Sequence, residues 1–218
     1  MPKAYEHWLS LDLSSTCATL AIHKSQGKAL TLVAEAIVSA DFNHSERMLS
    51  SLDGELKNLG LTLSQFSRFI TTSGPGSFTG LRIGFASMKA FAFATGKPIE
   101  TISGAEARAI AHGNFAEGQR VVVATTVARD RYARAEFKMG KKLALVSESI
   151  VAEAGLTDPK VLLLRDEKTP VLSNSELFPL QAKHLGECLP TASSRKTHKT
   201  IAEWIAVSPE YFGDARFG

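Results

Sequence analysis

The hydrophobic positions at the start of the chain predict strands. Apolar runs cover residues 8–12 and 18–23, with the polar stretch Leu13 to Cys17 between them, and a run rich in Leu, Val and Ile covers residues 30–38. Apolar runs bounded by turn residues are typical of hairpin strands. The N-terminus is therefore predicted to form an antiparallel three-stranded meander.

Residues 44–60 are predicted to form the first long helix. Asn43 and Glu46 have capping-box spacing, and Gly60 ends the segment. Apolar residues recur at helical spacing, which gives the helix one apolar face. They are Met48, Leu49, Leu52, Leu56 and Leu59.

Residues 78–95 predict a second helix that is apolar almost all round. Its charged residues are Arg82 and Lys89. Two faces are apolar, one formed by Leu81, Phe85, Met88 and Ala92, the other by Ile83, Ala86, Ala90 and Phe93. Such a helix must be covered on more than one side, so we expect a second cover besides its own sheet.

The remainder of the chain predicts a second lobe. A polar loop near residues 114–119 follows a strand at 98–102 and a short helix at 105–112. Strands are predicted at 121–127, 132–137, 143–151 and 161–164, and helices at 176–188 and 196–207. We expect a lobe of residues 1–113, with the helices 44–60 and 78–95, and a smaller lobe of residues 114–218 whose last helix and tail return to the first.

Composition excludes several classes of protein. Hydrophobic residues make up 44% of the chain and charged residues 22%, with a formal charge of +3, which is ordinary for a globular protein. Cys17 and Cys188 form neither a CxxC motif nor a disulfide framework. With neither a signal peptide nor a membrane span in the sequence, we expect a cytoplasmic protein.

The first candidate for chemistry is the turn after residue 11, where Asp12 precedes Ser14, Ser15 and Thr16. Proteins of the actin, Hsp70 and sugar-kinase superfamily carry Asp-x-Gly-Thr/Ser at such a turn. Glycine lets phosphate approach the backbone N–H groups there, and this chain has Ser14 in its place. The turn is either an ordinary hairpin or a degenerate nucleotide site.

The second candidate is the glycine-rich stretch from Ser73 to Gly84, which runs into the second helix. A glycine-rich loop before a helix N-terminus can bind an anion, although the spacing matches neither the P-loop nor the Rossmann motif. Either the glycines serve the turn, or they let another backbone approach. Possible anion- or nucleotide-proximal residues are Asp12, Ser14, Ser15, Gly74, Gly76 and Ser77.

No catalytic or metal-binding set can be assigned. His44 and Glu46 could serve acid–base or metal chemistry, but metal ligands need further partners at suitable spacing, and no HxxxH pair occurs among the six histidines. No residue is marked as a nucleophile. We predict no catalytic residue, no metal and no cofactor.

Three stretches together resemble the TsaB (YeaZ) family of bacterial tRNA threonylcarbamoyladenosine biosynthesis proteins. They are Leu9 to Ser15, His44 to Arg47, and Gly74 to Gly84, in the family's order and spacing. The resemblance is strong over residues 9–110 and weaker beyond. Phe212 and Gly213 replace a family Leu-Arg pair, and the stretch 127–132 departs from the family's Asp-Ala-Arg…Glu-Val-Tyr pattern.

The resemblance implies a degenerate actin/Hsp70/sugar-kinase-like (ASKHA) α/β fold, with two lobes that each hold a mixed sheet and helices. It implies a non-catalytic subunit that pairs with the paralogue TsaD and, with the ATPase TsaE, supports threonylcarbamoyl transfer to adenosine 37 of tRNA. In the family, the two helices after the N-terminal sheet bind TsaD, and the same face could form a homodimer alone. The residues expected at this contact are His44, Arg47, Met48, Leu49, Leu52, Leu81, Arg82, Phe85 and Met88.

Three other interpretations stay open. The chain could be a small-molecule kinase or ATPase of the superfamily, or a glycoprotease-like peptidase. Basic residues between 120 and 142 could contact tRNA phosphates, or they could form a solvated sheet face. These basic residues are Arg120, Arg129, Arg131, Arg134, Lys138, Lys141 and Lys142.

Overall fold

The computed structural model describes residues 5–39, 44–113, 115–156, 161–169 and 175–210, without the side chains of residues 39 and 44–46. The strands are β1 (Glu6–Asp12), β2 (Ala18–Gln26), β3 (Ala29–Ser39), β4 (Phe66–Gly74), β5 (Ile99–Ser103), β6 (Arg120–Ala128), β7 (Arg131–Met139), β8 (Leu143–Val151), β9 (Leu162–Arg165), β10 (Ser175–Leu177) and β11 (Lys196–His198). The helices are α1 (His44–Leu59), α2 (Phe78–Thr95), α3 (Gly104–His112), α4 (Ala182–Cys188) and α5 (Ile201–Ala206).

The first sheet has the strand order β11-β5-β4-β1-β2-β3. β1, β2 and β3 pair antiparallel, which confirms the predicted meander, and β4 runs parallel to β1 and β5. Successive side chains of a strand point to opposite faces, so Leu9 and Leu11 enter the core under α1 and α2 while Trp8 enters the core under α3 and α4. Both faces of this sheet are covered by helices.

The second sheet has the order β10-β9-β6-β7-β8. Val121 and Val123 of β6 and Phe137 of β7 pack with Ala105 and Ala109 of α3. Since α3 also packs under the first sheet through Ala107, this short, alanine-rich helix lies between the two lobes.

The chain returns to the first sheet after β10. β11 pairs antiparallel with β5, and α5 places Trp204 and Val207 in the core beside α2. The buried Glu100 carboxylate binds Arg195 Nη2 at 2.8 Å and also accepts a hydrogen bond from Thr197 Oγ1 at 2.6 Å. Residues 196–210 thus belong structurally to the first lobe, and the division at residue 113 stays a proposal.

The two helices predicted last in the sequence are wrong in their first halves. Residues 175–177 form β10, which pairs with the preceding strand β9, and residues 196–198 form β11, which pairs with β5, far away in sequence. Pro179 stops a helix from running through to Cys188, and the Thr200 hydroxyl accepts a hydrogen bond from Glu203 N, so α5 starts only at Ile201. Pairing with distant strands is not visible in local periodicity.

Among the described helices, none combines the length and the apolar character that a membrane crossing requires.

Candidate partner-binding surface and interlobe cleft

A cleft of about 500 Å³ opens between the lobes. One wall is the turn after β1 together with the start of α2, and the other is the β6–β7 hairpin together with the segment after β9. The lining residues are Ser14, Ser15, Thr16, Ser77, Phe78, Thr126, Val127, Ala128, Arg129, Asp130, Tyr132, Asp166, Glu167 and Lys168. This position brings both glycine- and serine-rich candidate motifs of the sequence to one site.

The predicted anion-proximal residues lie together, but half of them do not reach the cleft. Ser14, Ser15 and Ser77 line it, while Asp12, Gly74 and Gly76 are buried behind. The N–H of Ser14 donates to Asp12 Oδ1 at 2.9 Å, and the N–H of Ser77 donates to the Ser14 carbonyl oxygen at 2.7 Å. Two backbone donors that a phosphate would need are therefore already bonded within the chain.

The glycines before and inside α2 let the chain's own backbone approach. A Cβ at Gly76 would lie 2.5 Å from the Ser14 carbonyl oxygen, and one at Gly80 would overlap the carbonyl oxygen of Leu13. A Cβ at Gly84 would lie 3.3 Å from the Leu13 side chain. The backbone that these glycines allow to approach is therefore that of the chain's own turn after β1. Because they lack a Cβ, α2 can pack directly against this turn.

A buried arginine that was not among the candidates predicted from the sequence lies behind the cleft. Arg108 of α3 is buried, and its Nη1 donates to Thr125 Oγ1 at 2.9 Å and to the Ala124 carbonyl oxygen at 3.3 Å. Burial lowers the pKa of Arg108, and the nearby Asp166 and Asp12 carboxylates oppose that shift. The sequence could have indicated this residue, because Arg108 is the one arginine in the alanine-rich segment 104–109, and a cation on a buried helix face needs polar partners.

Asp12 is fully buried and has an unusual environment. Burial raises the pKa of its carboxyl, and the hydrogen bonds from Ser14 and the Arg108 guanidinium oppose that rise. Its Oδ2 has no hydrogen-bond partner within the described part of the chain. Arg108 is a neighbouring cation, and the Asp12 carboxyl lies behind the cleft lining rather than on it.

Asp166 organises the opposite wall of the cleft. Its carboxylate accepts hydrogen bonds from Thr126 N at 2.8 Å, from Thr169 N at 2.8 Å and from Thr169 Oγ1 at 2.6 Å. The nearby charges alternate in sign, since Glu167 precedes Lys168 and Arg129 pairs with Asp130 at 3.7 Å. This wall thus offers no concentration of positive charge for phosphate groups.

Within the described residues, no three His, Cys, Asp or Glu side chains are grouped so that they could hold a metal ion. His44 opens α1, but its side chain lies outside the described part, as does Glu46. The absence of a metal, of a cofactor and of catalytic residues stays a prediction.

The predicted partner-binding residues divide into two groups. Arg47, Leu49 and Arg82 are exposed, with Leu49 at 58%. The other five described residues are at most 4% exposed and pack inside the chain's own core, so the expectation that they touch a partner needs correction. These five are Met48, Leu52, Leu81, Phe85 and Met88.

The exposed apolar face of α2 is the second one that the periodicity indicated. Ala86, Ala90 and Phe93 face outward, and Phe93 is 73% exposed. The face with Phe85 and Met88 packs on the sheet instead. Because both faces are apolar, periodicity alone could not tell which one the sheet would cover.

α5 extends this surface beside α2. Lys89 Nζ of α2 donates to the Ile205 carbonyl oxygen at 3.1 Å, and Trp204 anchors α5 in the core. Ile201 and Ile205, one turn apart, are 54% and 74% exposed. These two residues are not among the predicted partner contacts, because the sequence predicts them inside a longer helix. We call the set Ala86, Ala90, Phe93, Ile201 and Ile205 the apolar face.

The basic residues of the second sheet are partly neutralised. Arg120 and Arg134 both bind the buried Glu136 carboxylate, Arg134 at 3.0 Å. Burial would raise the pKa of Glu136, but the hydrogen bonds from these two arginines lower it on balance. Lys138, Lys141 and Lys142 remain exposed, as do Arg129 and Arg131.

Comparison with known proteins relates the chain to tRNA modification proteins. A family model described as "TsaD: tRNA N6-adenosine threonylcarbamoyltransferase" matches residues 37–157. The tRNA threonylcarbamoyladenosine biosynthesis protein TsaB of Haemophilus influenzae is 31% identical over 53% of this chain and 47% of that protein. TsaB of Bacillus subtilis is 30% identical over 50% of this chain and 46% of its own length. The chain thus spans about half the length of the curated relatives it matches.

Among solved structures, YeaZ from Pseudomonas aeruginosa superimposes with a TM-score of 0.70 at 20% identity, covering 95% of this chain and all of that one. A second structure, described as similar to peptidase YeaZ from the same organism, also gives 0.70, at 19% identity. At this identity the likeness shows the fold alone. It confirms the predicted two-lobed α/β architecture.

Proposed function

Because the chain belongs to the tRNA N6-adenosine threonylcarbamoyltransferase (TsaD) family, on its TsaB (YeaZ) side, we propose that it is a non-catalytic subunit of the tRNA threonylcarbamoyl transferase. In this role it binds TsaD and supports threonylcarbamoyl transfer to adenosine 37 of tRNA. The observation that carries the proposal is the apolar face, where Phe93 and Ile205 stand almost uncovered. Contiguous exposed apolar surface of this kind marks protein interaction sites.

The chemistry of the face specifies the partner. α2 contains no acidic residue, and its rim carries Arg82, while Arg47 lies on α1. Ala86 and Ala90 leave room for a second helix to approach α2 closely. The surface therefore suits an apolar helical face, and we propose that TsaD supplies it in a heterodimer.

The cleft supports the non-catalytic part of the proposal. The N–H groups of Ser14 and Ser77 are bonded inside the chain, and Gly76 and Gly80 are occupied by the turn rather than by a phosphate path. Phosphoryl chemistry in this superfamily needs such donors free to bind the nucleotide. We therefore propose that the cleft is a structural contact between the two lobes and not a nucleotide-binding site.

Further partners belong to the same proposal. TsaE would join the TsaD heterodimer in a larger assembly, in the cytoplasm, and a homodimer through the apolar face would form when TsaD is missing. For tRNA, the exposed Lys138, Lys141 and Lys142 could add to binding, whereas Arg120 and Arg134 are engaged by Glu136. Contact with tRNA is therefore proposed as indirect or weak.

The alternatives are an ATPase or kinase that uses the cleft, and a peptidase. The volume of the cleft, about 500 Å³, favours the first, since it could hold a small ligand. Purified chain alone distinguishes them: we expect neither ATP turnover nor proteolysis. ATP turnover that disappears in Asp12→Asn would replace our proposal with the ATPase.

The direct test is threonylcarbamoyl transfer to tRNA, reconstituted with TsaD and TsaE of the same organism. The chain should be required, and Asp12→Asn should support transfer as well as the wild type does. Phe93→Glu should lose at least about 90% of the transfer, because an unpaired carboxylate in an apolar contact weakens binding strongly. Ile37→Glu is the matched control, since Ile37 is 64% exposed on the edge strand β3, away from α2.

A further inference from the structure

Residues 193–207, which we call the strap, comprise the strand β11 and the helix α5. β11 has three residues and α5 has six. Isolated helices shorter than about 12 residues are marginal in water, and a three-residue strand contributes few ladder hydrogen bonds. The position of α5 on the first lobe therefore depends on the contacts that the rest of the strap makes.

The first anchor of the strap is the carboxylate of Glu106 in α3, which is 3% exposed. Its Oε1 accepts hydrogen bonds from Ser193 N at 2.8 Å and from Ser193 Oγ at 2.6 Å, and its Oε2 accepts one from Ser194 N at 2.8 Å. Burial would raise the pKa of Glu106, but these hydrogen bonds lower it on balance. Because hydrogen bonds to an ionised carboxylate are short and strong, they fix the start of the strap on α3.

The second anchor is the carboxylate of Glu100 in β5, which is 1% exposed. Arg195 donates to it from Nε at 3.0 Å and from Nη2 at 2.8 Å, and Thr197 Oγ1 donates at 2.6 Å. Arg68 of β4 donates to the same carboxylate from Nη1 at 3.1 Å. β11 is thus held by side-chain hydrogen bonds in addition to its short ladder with β5.

β11 in turn orients α5. The indole Nε1 of Trp204 donates to the His198 carbonyl oxygen at 2.8 Å, and the Trp204 ring packs in the core beside α2. With Trp204 turned inward, Ile201 and Ile205 are 54% and 74% exposed. Apolar side chains are more stable out of water, so the anchors hold these two isoleucines in an arrangement that only a partner can cover.

We propose that Glu100 and Glu106 are positioning residues for the partner contact. Their carboxylates fix the strap, and this keeps Ile201 and Ile205 in the binding arrangement before the partner arrives. The partner then does not have to order α5 at the expense of its own binding free energy. This positioning role rests on the proposed function, because the partner that it serves is TsaD.

The test releases the strap from Glu100 without changing the apolar face. In Arg195→Met/Thr197→Val both donors from the strap are lost, while Arg68 still binds the buried Glu100 carboxylate. The matched control is Arg131→Met/Thr31→Val, which removes the same charge and the same hydroxyl at exposed positions of β7 and β3. Urea denaturation checks that both variants are folded.

Two measurements follow the strap and the contact separately. In the chain alone, hydrogen exchange followed by mass spectrometry should show the amides of α5 exchanging at least about 10-fold faster in Arg195→Met/Thr197→Val, with α2 unchanged. If about a tenth of the molecules then hold α5 in place, the apparent dissociation constant for TsaD rises about 10-fold. Isothermal titration calorimetry with TsaD measures that constant, and the control should match the wild type in both experiments.

A double-mutant cycle distinguishes positioning from a general effect on the fold. In a chain that already carries Ile201→Ala/Ile205→Ala, adding Arg195→Met/Thr197→Val should weaken TsaD binding by less than about 3-fold, because the side chains that the strap positions are gone. A general loss of structure would instead cost the same factor in both backgrounds.

Three results would overturn the positioning role: unchanged exchange of α5, unchanged affinity for TsaD in Arg195→Met/Thr197→Val, or an equal loss in both backgrounds of the cycle. If Phe93→Glu abolishes TsaD binding and Arg195→Met/Thr197→Val does not weaken it, the proposed function stands and the positioning role alone fails. A wild type that does not bind TsaD contradicts both.

Discussion

The interlobe cleft and the apolar face differ in how far their groups already have partners within the chain. In the cleft, Ser77 N, Ser14 N and the Asp166 carboxylate all have partners within the chain. On the apolar face, Phe93 and Ile205 are about three-quarters exposed. A site evolved for chemistry keeps polar groups available, and a docking surface keeps apolar groups available. The contrast supports our proposal that the chain acts through this surface.

Substitutions of Phe85 and Phe93, which lie on different sides of α2, give the largest expected difference in stability. Phe85→Glu should unfold the protein or destabilise it by about 4 kcal/mol or more, because Phe85 is 3% exposed and a carboxylate there has no partner. Phe93→Glu should change the free energy of unfolding by less than about 0.5 kcal/mol. Urea denaturation followed by circular dichroism measures both, and equal losses would show that α2 is covered on both sides.

Two glycines test whether the close approach at the cleft is required. Gly80→Ala should destabilise the protein by about 3 kcal/mol, because its Cβ would overlap the Leu13 carbonyl oxygen. Gly54→Ala is the matched helical control, since nothing lies within 4 Å of its Cβ, and it should stabilise the protein by about 0.5 to 1 kcal/mol. A tolerated Gly80→Ala would mean that α2 does not depend on the turn.

The environments of His23 and His184 lead us to expect that acid lowers the stability of the fold, whereas partner binding near neutral pH does not depend on these residues. Burial lowers the pKa of His23 to about 4, and burial, with Lys183 and Arg108, lowers that of His184 to about 4. The unfolded chain takes up these protons near pH 6.5 and the folded chain only near pH 4. Stability should therefore fall as the pH drops through this window, by up to about 3 kcal/mol for His23 alone.

His23→Leu tests that assignment, since it should remove about half of the slope between pH 6.5 and 4 and leave the part due to His184. Thermal melting at a series of pH values measures it. Binding of TsaD between pH 7 and 8 should not vary with these groups, because both are neutral there. An unchanged slope in His23→Leu would contradict the buried, uncharged state of that ring.

Asp12→Asn probes the buried carboxylate behind the cleft, and its expected effect is small. The Asn Oδ1 can still accept from Ser14 N, and the loss of a buried charge offsets the loss of attraction to Arg108. The free energy of unfolding should change by no more than about 1 kcal/mol, measured by urea denaturation. A loss of several kcal/mol would show that the Asp12–Arg108 attraction dominates the joint between the lobes.

Local signals in the sequence account for the elements that were predicted well. α2 has the predicted bounds because Ser77 caps its start and Gly96, with φ of 69°, ends it. β10 and β11 were missed because a three-residue strand is too short to show a periodicity of its own and is recognisable only by the strand it pairs with, β9 or β5. The roles of Arg108 and Asp166 could not be predicted either, because neither belongs to a short motif and their partners lie in other parts of the chain.

The candidate surface was predicted only in part, and α2 shows why. The sequence indicates two apolar faces on α2, and the amount of apolar surface predicts that one of them needs a partner. The choice between Phe85 and Phe93 depends on how the helix is rotated over β4 and β1, which Gly80 and Leu13 determine through their close contact. That rotation is a property of the fold and not of the helix alone.

The most direct test of the central claim is the mass of the complex in solution. The chain and TsaD of the same organism are mixed, separated by size-exclusion chromatography and measured by light scattering, with Phe93→Glu and Ile37→Glu in parallel. We predict a complex containing both proteins for the wild type and for Ile37→Glu, and separate elution for Phe93→Glu. Separate elution of the wild type at every concentration, or a complex that Phe93→Glu leaves intact, would contradict the assignment of function to the apolar face.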